Sequence, residues 1–204
     1  MITEIEMANY VTYLNFISEK LKKFFESQKP YICCKEGCGL CCKGAQFPYS
    51  KIEAQYLLSG VLKLDEDLQN KLAEKIYKIL DDMYSAPKGE KFRYDCPFLI
   101  DNRCCVYEYR GLVCRTFGLM TKGLNDKVLV PACCFDNHLN YANVMDPETK
   151  TISTELYSKL NIDVEPVAFN VSYEFLTDKD FERGFNFKFG EIKPLIEWFD
   201  ETNQ

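Results

Sequence analysis

Histidine is almost absent: the 204 residues contain one, His138. A single imidazole excludes histidine-rich zinc hydrolase sites and two-histidine iron triads. No apolar run approaches the roughly 20 residues needed to span a bilayer. The opening Met1-Ile-Thr-Glu-Ile-Glu6 lacks the basic n-region and apolar h-region of a secretory signal. Gly37-Cys38-Gly39 has neither the third glycine nor the strand context of a dinucleotide fingerprint, and no phosphate-binding glycine loop occurs elsewhere. Positive charge is also short. Lys and Arg number 25 against 31 Asp and Glu, a net charge of −6, which argues against a general nucleic-acid surface. The acidic pairs Asp81-Asp82 and Asp178-Lys-Asp180 fall on expected helical or loop surfaces, where charge is solvated. No repeat, low-complexity linker or sharp compositional break divides the chain. A soluble, cytoplasmic protein is expected, with no nucleic-acid or membrane partner.

Cysteine, in contrast, is abundant. There are 11, and eight form adjacent pairs: Cys33-Cys34, Cys41-Cys42, Cys104-Cys105 and Cys133-Cys134, with Cys38, Cys96 and Cys114 single. Neighbouring cysteines rarely close a disulfide on each other, because one trans peptide aims their side chains badly for the S–S geometry. An odd count in a reducing compartment points to metal or redox chemistry before a disulfide framework. The densest run, Cys34-Lys-Glu-Gly-Cys38-Gly-Leu-Cys41-Cys42, has ligand-like spacing, with glycines that let the backbone fold around an ion. Two or three of the 11 are expected to be ordinary buried thiols.

Apolar periodicity predicts an amphipathic helix over 2–27, with Ile5, Val11, Leu14, Ile17, Leu21, Phe24 and Phe25 inward and Pro30 as its end. The cysteine loop 33–46 has no period. Ser50-Lys-Ile-Glu53 is a capping box opening a short helix that Gly60 stops. Leu64, Leu68, Leu72, Ile76 and Leu80 predict a longer helix, read as core packing. Two short apolar stretches around Asp101-Asn-Arg103 predict a hairpin over 96–107, and 118–121 with 127–131 a second strand pair. A short helix or tight turn is expected over 108–117, helix over 152–160 and 191–201, and no clear preference over 164–176. The fold class is α+β: a small helix-rich domain with short strands around a central cysteine-ligated metal cluster. Residues 1–30 are read as a helical arm, 31–140 as the cysteine-cluster domain and 141–204 as an α/β extension packed on it.

The segments Cys34-x3-Cys38-x2-Cys41-Cys42, Cys96-Pro-Phe-Leu, Cys105-Val-Tyr-Glu-Tyr-Arg110, Cys114-Arg115-Thr-Phe and Pro131-Ala-Cys133, in that order, resemble the YkgJ family of cysteine-cluster proteins, described as zinc- or iron-chelating domains. The resemblance covers roughly 33–135 and is far more specific than a lone C-x2-C. It implies Cys34, Cys38, Cys41, Cys42, Cys96, Cys105, Cys114 and Cys133 as metal ligands, leaving Cys33, Cys104 and Cys134 as extras, with a swap inside a pair left open. One departure is Gly111, where members usually carry proline after the arginine. Eight thiolates suffice for two four-thiolate centres, or for one centre plus structural thiols. Zinc would act as a staple, whereas a 4Fe-4S cluster would add redox chemistry. A flagellin-lysine methylase with a similar cysteine pattern and an iron–sulfur cluster adds weight to iron. Arg110 and Arg115 are candidates to offset thiolate charge and donate N–H to sulfur, and Tyr107 and Phe117 to exclude water. Cys134-x3-His138 offers a mixed ligand pair that the cysteines make unnecessary.

Cys34-x3-Cys38-x2-Cys41 is also the spacing of radical S-adenosylmethionine enzymes, but a long helix precedes it, no βα repetition follows, and Leu40 replaces the usual aromatic. Thiol–disulfide exchange through Cys38-x2-Cys41 would need a strand-to-helix setting that the sequence does not show. Two functions remain. One is a metal-binding module, its zinc or iron structural or in transit, with flanking helices for an unknown protein partner. The other is an iron–sulfur redox or methyl-transfer enzyme. Substrate, and whether there is catalysis at all, is left open.

Overall fold

In a computed structural model, residues 2–34, 37–44, 46–87, 92–123, 125–131, 133 and 139–200 are described. The chain is an α+β protein with, among the described residues, three two-stranded antiparallel pairings and several helices. It forms two compact units, Met1–Met7, Gly37–Gly111 and Phe187–Gln204 in the first, Ala8–Glu36 and Leu112–Asn186 in the second. No helix among the described residues is long and apolar enough to cross a membrane.

Helix α1 (Glu4–Ser27) opens on a reciprocal cap, Thr3 Oγ1 accepting from Glu6 N–H while the Glu6 carboxylate accepts from Thr3 N–H at 3.0 Å. Pro30 follows in a 3-10 turn (Lys29–Tyr31). The buried stripe is Tyr10, Tyr13, Leu14, Ile17 and Leu21. Ile5, expected inside, is 71% exposed. Tyrosine supplies the difference, since its ring buries while its hydroxyl still finds a partner: Tyr13 donates to the Leu176 carbonyl.

In the first unit, strand β1 (Pro48–Ser50) leads straight into α2 (Lys51–Val61). The Ser50 N–H and hydroxyl both donate to Glu53, at 2.9 and 2.6 Å, so the expected capping box is present. The helix ends one residue past Gly60, at Val61. A Cβ on Gly60 would lie 2.4 Å from the Tyr109 ring, so glycine also serves close packing. Helix α3 (Glu66–Ser85) is capped by Asp65, which accepts from Leu68 N–H at 2.9 Å, and buries Leu72, Ile76, Ile79 and Leu80. Strands β2 (Leu99–Ile100) and β3 (Arg103–Cys104) form the expected hairpin. Asp101 and Asn102 turn it with φ of +48° and +59°, the left-handed conformations that a two-residue hairpin loop requires. The helix expected over 191–201 is not formed among the described residues 191–200. β6 (Ile192–Pro194) pairs antiparallel with β1, Pro48 opposite Pro194, and a 3-10 turn (Leu195–Phe199) follows. Pro194 lacks the N–H that a helix interior needs and is tolerated at the edge of a two-stranded pair.

The second unit contains α4 (Leu112–Thr116), β4 (Thr121–Lys122) paired with β5 (Val128–Leu129), α5 (Thr154–Ser158), α6 (Tyr173–Leu176) and α7 (Lys179–Phe185). Its core joins Tyr31, Met120, Val128, Tyr141, Val144, Met145 and Ala168. Gln28, 2% exposed, closes this core with its amide: Oε1 accepts from Val167 N–H at 2.9 Å and Nε2 donates to the Glu165 carbonyl at 3.1 Å.

Candidate metal centre

The cysteine loop of the first unit turns at Gly37 and Gly44, with φ of +75° and +60°, and carries Cys41 and Cys42 on a 3-10 turn (Leu40–Cys42). Backbone bonds tie it to the hairpin segment: Cys96 N–H donates to the Cys42 carbonyl at 2.7 Å, and Gly44 N–H to the Asp95 carboxylate at 2.9 Å. The Cys41 and Cys42 sulfurs lie 3.9 Å apart. The charges of Cys96 and Cys104 also act at Cys42. Cys38 and Cys105 belong to the same unit, and all six thiols here are unlinked by disulfides and half-buried.

The electrostatics of this group have one theme. The hydrogen bond with Cys42, then burial, push the Cys41 thiol far above its ordinary range. At Cys42 the Cys41 bond lowers the pKa, but the neighbouring Cys96 thiol, burial and the charge of Cys104 outweigh it, and the thiol is pushed up to about 12. Burial raises Cys104 and Cys105. Sulfurs this close cannot ionise together without a cation among them. Arg110 supplies one nearby positive charge, pulling Cys41 and Cys104 downward. Its guanidinium sits 3.3 Å from the Tyr107 ring centroid, and Nε donates to the Tyr107 carbonyl at 2.8 Å. Tyr107 is 56% exposed, so it supports Arg110 and does not seal the site as expected.

The remaining expected ligands, Cys34, Cys114 and Cys133, fall in the second unit. The Cys34 thiol points to the Phe117 carbonyl at 4.0 Å, and Cys33 donates to the Leu139 carbonyl at 3.6 Å. Arg115 belongs to this unit and donates to Ser18 Oγ at 3.3 Å. Cys134 and His138 lie outside the described residues. Among the described residues, no three Cys, His, Asp or Glu side chains stand in a ready metal-holding arrangement. Lys75 was not expected at the site at all. From α3 its Nζ donates to the Cys96 and Leu99 carbonyls at 3.1 and 2.8 Å. It shares the helix flank with Leu72 and Ile76, where a lysine reads as a solvated charge.

The family described as "CxxCxxCC: Putative zinc- or iron-chelating domain" matches residues 33–134, half of the chain. The chain belongs to this YkgJ-type family. No curated protein and no solved structure matches it. The matched span contains every cysteine of the chain, together with Arg110 and Arg115.

The Cys41–Cys42 pair has the spacing of two thiolates on one thiophilic ion. Two thiolates on one tetrahedral zinc at about 2.3 Å stand roughly 3.8 Å apart, close to the Cys41–Cys42 separation of 3.9 Å.

Proposed function

We propose that the chain binds a single thiolate-coordinated ion, zinc or iron, in its first unit, and that the ion staples the 38–44 loop to the 96–104 hairpin segment. The observation that carries this reading is the Cys41–Cys42 sulfur pair at 3.9 Å, on a loop whose Cys42 carbonyl accepts from the Cys96 N–H at 2.7 Å. Thiolates on separate irons of a cluster stand farther apart than two ligands of one ion. Such a metal neutralises the sulfurs, closes the loop and contributes its binding energy to folding. Cys41, Cys42 and Cys96 would hold it, Arg110 would offset residual negative charge, and Lys75 would hold the turn that presents Cys96. Cys38 is the remaining ligand candidate of the loop.

The test is anaerobic purification without chelator, followed by elemental analysis and a visible spectrum. A stoichiometric ion without labile sulfide is expected, with metal lost in Cys41→Ser and Cys42→Ser. Labile sulfide with a visible band that bleaches on reduction would replace the single-ion reading by an iron–sulfur centre and reopen redox or methyl-transfer chemistry. A metal-free chain would overturn metal binding altogether.

A further inference from the structure

We propose that Asp95 is a positioning residue of the metal centre: its carboxylate latches the cysteine loop onto the 95–99 segment before an ion arrives, so that the backbones carrying Cys42 and Cys96 are already joined in the metal-free chain. The inference rests on the metal-binding reading above and adds to it a residue that supplies no ligand.

The loop meets the 95–99 segment at three points. At its entry, a Cβ on Gly39 would come within 2.8 Å of Leu99 Cδ1, so glycine lets the backbone rest on that side chain. At its middle, the Cys42 carbonyl accepts from the Cys96 N–H at 2.7 Å. At its exit, the Gly44 N–H donates to Asp95 Oδ1 at 2.9 Å. The order 39, 42, 44 runs against 99, 96, 95, so the two segments lie antiparallel, and a side-chain carboxylate serves as the acceptor at the last point.

The three points differ in what holds them. The first is packing and the second is backbone to backbone, whereas the third needs the Asp95 side chain. Asp95 is exposed, and its partner is a backbone N–H 51 residues earlier in the chain, so the bond serves the closure of the loop and adds little to the core. Its position gives it leverage over the centre. Asp95 adjoins Cys96 directly, and Gly44 follows Cys42 by two residues. The Cys96 carbonyl is held from α3 by Lys75 Nζ at 3.1 Å. A hydrogen bond from a backbone N–H to a carboxylate is stronger than one between neutral groups. Backbone that is ordered before binding need not be ordered by the ion, and the difference appears as metal affinity. A residue that only stabilised the fold would change the melting temperature and leave that affinity alone.

The test is a cobalt(II) titration of the full chain, read by its thiolate charge-transfer and ligand-field bands, with amide exchange at Gly44 followed in the metal-free protein. Asp95→Ala removes the acceptor, and Asp95→Asn keeps an oxygen that can accept the same bond. Asp95→Ala should speed Gly44 exchange and weaken cobalt binding about threefold to tenfold, the equilibrium effect of one hydrogen bond, with band positions unchanged. Asp95→Asn should recover most of the affinity. Unchanged cobalt affinity in Asp95→Ala overturns the positioning role while leaving metal binding intact. Equal losses in both variants do the same, because they trace the effect to charge and not to the hydrogen bond. Shifted ligand-field bands in Asp95→Ala would make the carboxylate itself a ligand and overturn the latch as well. A wild-type chain that takes up no cobalt overturns the metal reading itself, and the role of Asp95 with it.

Discussion

Gly111 occupies the position where family members usually carry proline, and its surroundings in this chain explain the exchange. A Cβ there would lie 2.8 Å from both the Tyr49 ring and the Glu53 carboxylate, and its N–H donates to Tyr49 Oη at 3.1 Å. Proline would remove the donor and force its ring into the same space. Gly111→Pro is expected to destabilise the chain by about 1–3 kcal/mol, the range for an orphaned buried polar group, as a drop in denaturant midpoint. An unchanged midpoint would show that Tyr49 can move aside. Asp146 allows a prediction of pH dependence. Its carboxylate accepts from the backbone N–H of Thr149 and Glu148, and these bonds hold its pKa below the ordinary 3.8. A depressed pKa contributes stability above the unfolded value, and this is lost as pH falls through the folded one. The stability gap between wild type and Asp146→Ala should therefore be full above about pH 5 and shrink steadily in acid. A carboxyl titration midpoint above 3.8 by NMR would contradict it.

At the scale of elements, the clearest dependence is that of the 96–99 turn on α3. Lys75 connects the helix to two turn carbonyls with one ammonium, and no side chain of similar shape can replace that charge. Lys75→Met keeps the aliphatic stem and should cost about 1–2 kcal/mol through the two lost charge-assisted hydrogen bonds. It should also weaken cobalt affinity without changing the cobalt spectrum, because Lys75 positions the turn and supplies no ligand. An altered spectrum would mean that the lysine affects the coordination itself. At the end of α1, the buried amide of Gln28 plays the corresponding part in the second unit by joining the helix end to residues 165–167. Gln28→Ala should lose about 1–3 kcal/mol, measured by thermal or denaturant unfolding.

For the whole molecule, the cysteines are distributed over two units, with Cys38, Cys41, Cys42, Cys96, Cys104 and Cys105 in one and Cys33, Cys34, Cys114 and Cys133 in the other. Metal removal is therefore expected to act locally first. Chelator should lower the melting temperature and speed amide exchange in the 38–44 and 96–104 segments before it reaches the second-unit core around Tyr31 and Tyr141. Uniform acceleration across both units would contradict a centre confined to the first. Cys38→Ser is expected to lower metal content, whereas Cys33→Ser and Cys114→Ser, both in the second unit, should have less effect. Metal lost in Cys114→Ser would contradict a centre confined to the first unit.

Residue order alone determined what depends on local chemistry. The 3.6-residue stripe of α3, the Ser50–Glu53 cap and the Asp101-Asn102 turn are each set by neighbours within a few positions, and the cysteine spacing identified the family and a soft metal. Tertiary structure decided what depends on distant partners. Tyr10 and Tyr13 became core because their rings found room, with the Tyr13 hydroxyl bonded to the distant Leu176 carbonyl, and 192–194 became a strand because β1 was there to pair with it. Adjacent cysteines have the same chemistry and differ only in the face they take; Cys104 stands opposite Leu99 because β2 and β3 pair in that register, with Gly39 against the Leu99 side chain.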